Sequence, residues 1–322
     1  MTFVITKPGI YDVPEEEYHA DPVPSLSLSS SGAKKMYEKT PLHYWTDRRL
    51  GSKSTSALKL GSAAHIALLE PERFDKTYFV MPEGLSMSFA ATKALKEEFG
   101  EDGVKELKAT AKSAKEIGQI LLSYKDAEIV KGMKEGMGRK ESILSKFITC
   151  PKEQSAFWFD DVFRIWRRAR FDYLPNEGRI FADYKTTTDL SDDAINKAVS
   201  NFGWHQQAAW YLDAIKALGL HDKPVFMFIM QEKSPPYEIR LVELDYQSIA
   251  DGQVVNGWAM DQFARGIETG EWQGYPSAPY IATRPRYAET IYDAKQEAGD
   301  FALTHRLKAE FYQPEIHEKE AA

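Results

Sequence analysis

Apolar and polar positions along the chain follow two rhythms, a helical one before about residue 150 and a strand-like one from Ser155 onward. Residues 1–57 are broken by Pro14, Pro22, Pro24 and Pro41 and carry a polar stretch from Ser25 to Ser31. The pattern predicts one short helix there, capped by a serine before Gly32 and stopped by Pro41. Residues 58–70 are small or apolar on nearly every side, which predicts a mostly buried helix ended by Pro71. Residues 90–147 are rich in Ala, Lys and Glu at helical spacing, and Tyr124 is the only aromatic between Phe99 and Phe147. They read as two or three solvent-exposed helices inserted into the core. Then SAFWF and VFRIWRRARFDYL flank a hairpin turn at Asp160–Asp161, and Pro175-Asn176-Glu177-Gly178 turns the chain into a third strand, RIFADYKTT. Ser191 opens a helix with Asp192 and Asp193 in its first turn, and a second helix runs from Trp204 to Leu218. Strands follow at 224–230 and 237–244, then a long helix over 246–269 and a charged, loosely patterned tail. The expectation is an α/β (α+β) domain spanning 1–322, with a helical insertion at 90–147 and an extension at 273–322. Its order contains an α-β-β-β-α-β core.

Composition narrows the chemistry. A hydrophobic content of 43% and an aromatic content of 12% over 322 residues suffice for a globular interior. No run of about 18 apolar residues exists to span a membrane. The N-terminus lacks the basic and apolar blocks of a signal peptide, so a cytoplasmic location is expected. Cys150 is the single cysteine, which excludes an internal disulfide and a cysteine-ligated cluster or zinc site. A metal would rest on oxygen and nitrogen ligands, which favours Mg2+ or Mn2+. The formal charge of −7, from 48 acidic and 41 basic residues, speaks against a non-specific DNA-coating protein. It leaves room for an enzyme with a local basic track.

The candidate chemistry lies in Asp172, then ten residues, then Asp183-Tyr184-Lys185. Residues two apart on a strand share a face, so Asp183 and Lys185 project together, and Asp172 returns beside them across the adjacent strand. Two carboxylates can hold a divalent cation and a lysine can stabilise a developing phosphorane, the set that phosphodiester hydrolysis needs. Alone, D-x-K is an exposed ion pair; its apolar neighbours Phe181, Ala182 and Tyr184 imply burial instead, where an unpaired charge is costly. His65, inside the apolar helix, is either a satisfied core histidine or a nitrogen ligand; Glu70 marks that helix's end. Gln207 and Tyr211 share a helix face and either touch the site or pack in the core. Arg164, Arg168 and Arg170 alternate onto one strand face, with Arg167 on the other; they form either a phosphate track or a solvated edge strand. Lys34, Lys35, Arg48 and Arg49 form a weaker basic group. Nucleotide-binding P-loop, nucleophile-elbow and HExxH motifs are absent.

Taken in order, GSAAHIALLEPERF, RARFDYL, ADYKTTTDL and WHQQAAWYLDAI resemble the exodeoxyribonuclease VIII (RecE-like) family from about Ser25 to Trp272. The resemblance implies a PD-(D/E)XK restriction-endonuclease-like core, a central mixed sheet flanked by helices. It also implies a magnesium-dependent exonuclease that degrades linear double-stranded DNA from 5′ ends for recombination. Asp172 and Asp183 then match metal-binding carboxylates, Lys185 the catalytic lysine and His65 the histidine near the metal. Gln207 and Tyr211 match the family's Q-x-x-x-Y helix, and Glu153 is a further site acid. Phe171 stands where the family name has proline. A ring-shaped homo-oligomer and a single-strand annealing partner are implied as well. Two other readings are a catalytically silent DNA-binding scaffold and a structure-specific or single-strand endonuclease.

Overall fold

A computed structural model describes residues 4–51, 56–140, 144, 147 and 150–301. The chain divides into a unit Met1–Gly274 and a second, Tyr275–Ala322. In chain order the first unit contains β1 (Gly9–Tyr11), α1 (Glu15–His19), β2 (Ser27–Ser29), α2 (Ser30–Glu38), α3 (Pro41–Leu50), α4 (Ser56–Leu69), α5 (Pro71–Thr77) and β3 (Tyr78–Val80). Next come α6 (Lys93–Glu116), β4 (Ile120–Leu122), α7 (Tyr124–Arg139), β5 (Gln154–Asp160), β6 (Ile165–Phe171) and β7 (Ile180–Thr187). The unit closes with α8 (Asp192–Asn201), α9 (Trp204–Ala217), β8 (Val225–Glu232), β9 (Ile239–Glu243) and α10 (Tyr246–Thr269). The second unit has α11 (Arg286–Glu297), which buries no side chain; Arg284 lies over the Tyr292 ring and Tyr292 stacks on Phe301. Residues 302–322 of the expected C-terminal extension lie outside the described residues.

Local signals set most helix starts. Ser29 accepts from the Gly32 amide, Ser191 from Ala194 and Asp245 from Ser248, each occupying one of the backbone donors that a helix start leaves unpaired. Pro41 and Pro71, read as stops, also sit at the first position of the next helix, where a missing N–H costs nothing.

Two sheets meet edge to edge. One is ordered β1-β5-β6-β2 and the other β7-β8-β9; an antiparallel bridge between Tyr173 and Ala182 joins them. β5 and β6 form the expected hairpin, β7 and β8 run parallel through the α8–α9 crossover, and β9 returns antiparallel. A large core including Phe171, Phe181, Trp210, Phe228 and Phe263 fills the side of α9 and α10. These helices pack tightly because position 252 is glycine: a Cβ there would stand 2.3 Å from the His205 carbonyl oxygen. Buried Gln206 and Asn256 bond across the contact, each bond contributing about 1 kcal/mol net. The opposite face carries a second core, with Ala63, Ala64 and Ala67 of α4, Val130 and Met133 of α7, and Tyr184 and Ile229 of the sheet.

That second core corrects the reading of 90–147 as exposed helices. α7 is half core: it packs on α4, and a Cβ at Gly136 would meet the Tyr237 carbonyl oxygen at 2.8 Å. β4 also pairs in parallel with β3, a contact too short to leave an alternating pattern. α6 follows the reading more closely, burying a single stripe that includes Val104, Ala111 and Ala114. No described helix is long and apolar enough to cross a membrane.

Candidate metal centre

The centre is assembled where α4 crosses the junction of the two sheets. The small residues Ala63, Ala64 and Ala67 let α4 lie close to β7 and β8, which brings the His65 ring to 5.8 Å from that of Tyr184. His65 Nε2 is then 2.9 Å from Asp172 Oδ2, and Nδ1 is 3.3 Å from Glu153 Oε1. Asp172 directly follows β6, and its Oδ2 also accepts from the Tyr184 amide at 2.7 Å. Gln154 is paired with Phe171 across the hairpin, so Glu153 and Asp172 stand opposite each other one step further on. One ligand atom from each of His65, Glu153 and Asp172 lies within 4.8 Å of the others.

Asp183 and Lys185 share a face of β7, as their spacing requires. Lys185 Nζ is 2.5 Å from Asp183 Oδ2, and Gln207 of α9 donates to Asp183 Oδ1 at 2.7 Å. Tyr211, one turn further along α9, donates to the Arg170 carbonyl at 2.6 Å. It therefore braces β6 and does not touch the carboxylates.

Burial opposes charge throughout this region, and the neighbours decide each outcome. Desolvation works against a protonated His65, yet Asp172 and Glu153 together hold its pKa well above the usual value. Desolvation would raise Asp172, but His65, Lys185 and the Tyr184 amide hold it below the usual range. Desolvation, then the charge of Asp172, push Asp183 up to about 6. Carboxylates that draw a proton onto an imidazole would equally draw a divalent cation against the neutral ring. The donor set fits such a cation. Glu153 Oε1 is buried and makes no hydrogen bond, and Asp183 Oδ2 has its lysine close but no aligned bond. Two carboxylates and one imidazole suit a hard or borderline divalent ion.

The expected ligand set was His65, Asp172 and Asp183. In the structure His65, Asp172 and Glu153 lie within 4.8 Å of one another, and Asp183 lies against Lys185 and Gln207 beside them. Glu153 carries little sequence signal because it precedes its strand and adopts a left-handed φ of 56°. Glu70, by contrast, pairs with Arg73 one turn on.

The structure overturns the phosphate-track reading for Arg168 and Arg170 and the edge-strand reading for β6. β6 lies between β5 and β2, so it is no edge strand. Arg168 is 5% exposed and bound to Asp21 and Ser27, which removes it from any phosphate track. Arg170 turns inward to Glu153. Arg164 precedes the strand in the hairpin turn, at a φ of 57°, and pairs with Asp161. Arg167 is packed between the Trp158 and Trp210 rings and paired with Asp160 and Asp213. The weaker basic group is also partly spoken for, since Lys35 pairs with Asp47 and Arg48 with Asp21. Asp21 has no motif around it in the sequence; its φ of 63° marks it only in three dimensions.

Comparison with known proteins agrees with the fold. A solved structure from Eubacterium rectale, described as a "putative exonuclease", superposes with a TM-score of 0.54 at 14% identity, covering 80% of this chain and 90% of that one. That likeness concerns the fold. No sequence among the curated proteins matches the chain. Residues 29–268 match the family model described as a PDDEXK-like domain of unknown function, DUF3799. That span includes His65, Glu153, Asp172, Asp183, Lys185 and Gln207 together, and the chain belongs to this family of PDDEXK-like domains.

Proposed function

We propose that this chain is a divalent-metal-dependent deoxyribonuclease that digests linear double-stranded DNA from its 5′ ends. The observation that carries the reading is the convergence of His65, Glu153 and Asp172 within 4.8 Å, next to a lysine–aspartate pair on the adjoining strand. His65, Glu153 and Asp172 would hold Mg2+ or Mn2+. Such an ion acidifies a bound water and neutralises charge on the scissile phosphate. Lys185 keeps 24% exposure at its side chain, so its ammonium can meet a phosphate oxygen arriving from solvent. Gln207 fixes the Asp183 carboxylate, which in turn orients that ammonium. End dependence, polarity, a ring-shaped oligomer and a single-strand annealing partner are supported by the motif order shared with the exodeoxyribonuclease VIII family.

The test is purified protein with Mg2+ or Mn2+ on end-labelled linear duplex beside covalently closed circles, with Lys185→Ala as control. The expected result is loss of the linear duplex alone, with the 5′ label released first and no digestion by the variant. Cutting of closed circles would replace the reading with an endonuclease. Binding without any metal-dependent cleavage would replace it with a DNA-binding scaffold.

A further inference from the structure

Glu153 is held in a way that its strand does not explain. A left-handed φ of 56° is unfavourable for a non-glycine residue. Arg170 fastens the side chain there: its Nε reaches Glu153 Oε2 at 2.5 Å, while Nη1 donates to the Val13 carbonyl at 2.9 Å and to Ser155 Oγ at 3.0 Å. The backbone of Arg170 is fixed too, by its register opposite Ser155 and by the Tyr211 hydroxyl on its carbonyl. With Oε2 engaged, Oε1 is left toward His65, whose Nδ1 stands 3.3 Å away as an ion pair, and is buried without an aligned hydrogen bond. A buried carboxylate oxygen in that state is unfavourable unless a cation meets it.

We propose that Arg170 is a positioning residue that aims the free oxygen of Glu153 at the cation held by His65 and Asp172. Glu153 is then a working ligand, and its pair with Arg170 is the device that selects which oxygen binds. A guanidinium suits this task because its fork can hold a carboxylate, a carbonyl and a hydroxyl at once, which an ammonium cannot do in fixed geometry. The inference rests on the metal-dependent nuclease reading, but its test reads metal binding and needs no cleavage.

The experiment is Mn2+ binding to the full chain, followed by electron paramagnetic resonance of the free ion, with Tm recorded alongside. Arg170→Gln is expected to weaken Mn2+ by about 10–100-fold, the scale seen when groups that orient a metal ligand are removed. Arg170→Lys should fall between Gln and wild type. Glu153→Gln, a nearly isosteric change that keeps the test open if an Arg170 variant fails to fold, should also weaken binding. In that background Arg170→Gln should cost nothing more. Unchanged affinity with a lower Tm would make the pair merely structural and overturn the proposal; so would tighter binding once the guanidinium charge is gone, or losses that simply add. Mn2+ binding in the expected pattern without DNA cleavage would sink the nuclease reading alone. DNA cleavage with Mn2+ affinity indifferent to Glu153 and Arg170 would sink this proposal alone.

Discussion

Two largely buried carboxylates, Asp21 and Glu153, meet arginines of the same strand and end in opposite states. Both Asp21 oxygens are occupied: Oδ1 takes Arg168 and the Ser27 hydroxyl, and Oδ2 takes Arg48 and the Ser27 amide. Glu153 gives one oxygen to Arg170 and leaves the other without a hydrogen bond beside His65. Burial makes either state costly unless the charge is met. The saturated cluster therefore reads as architecture, tying the segment before β2 to β6. The incomplete one reads as a site that a cation completes. Four arginines in seven residues look alike in sequence; what separates them is whether the acid each one meets has an oxygen to spare.

The widest way to test this contrast pairs Asp172→Asn with Asp21→Asn. The first should lower metal-dependent cleavage about a thousandfold, the scale on which one catalytic electrostatic group acts. The second should cost about 3–5 kcal/mol of stability by leaving buried guanidinium charge unmet, with cleavage per folded molecule unchanged. Chemical denaturation and initial rates measure both; an exchange of the two effects would invert the assignment. A smaller effect comes from the ion itself. Mn2+ at a hundred times its Kd should stabilise wild type by about 2.7 kcal/mol, and Asp172→Asn should lose most of that shift. A chelator-insensitive Tm would leave the incomplete cluster without its cation.

The smallest prediction concerns Asp183, whose pKa is pushed up to about 6 from an ordinary 3.8. A raised carboxyl pKa means the fold disfavours the charged form. The resulting destabilisation is complete above about pH 6 and disappears as pH falls through 3.8. Without metal, Asp183→Asn should therefore be the more stable protein at pH 7.5, by about 1–3 kcal/mol. The gap should close toward pH 4. A variant less stable than wild type at pH 7.5 would show that Lys185 and Gln207 more than compensate the burial of Asp183.

The β-rich half was legible because its signals are local. Alternation and turn chemistry lay out β5, β6 and β7, and Ser191 announces its helix. Asp183 and Lys185 sit on one face by strand periodicity alone, and the structure bears that spacing out. The region 90–147 was less legible, since a helix rich in Lys and Glu looks solvated until a partner is known. α7 hides its core stripe, Val130, Met133 and Gly136, among seven charged residues, and only contact with α4 and Tyr237 shows which side is inward.

By itself, then, the sequence determined strands β5 to β9, the serine-capped starts of α2 and α8 and the residue types able to hold a cation, because each depends on neighbours a few positions away. The tertiary structure alone decided that Glu153 lies beside His65 and Asp172, that Asp183 lies against Lys185, and that Arg168 is interior. Those outcomes depend on which carboxylate meets which cation across 107 residues for His65 and Asp172, or 147 for Asp21 and Arg168. Burial, which gives such encounters their energy, is a property of the packed chain and not of any segment of it.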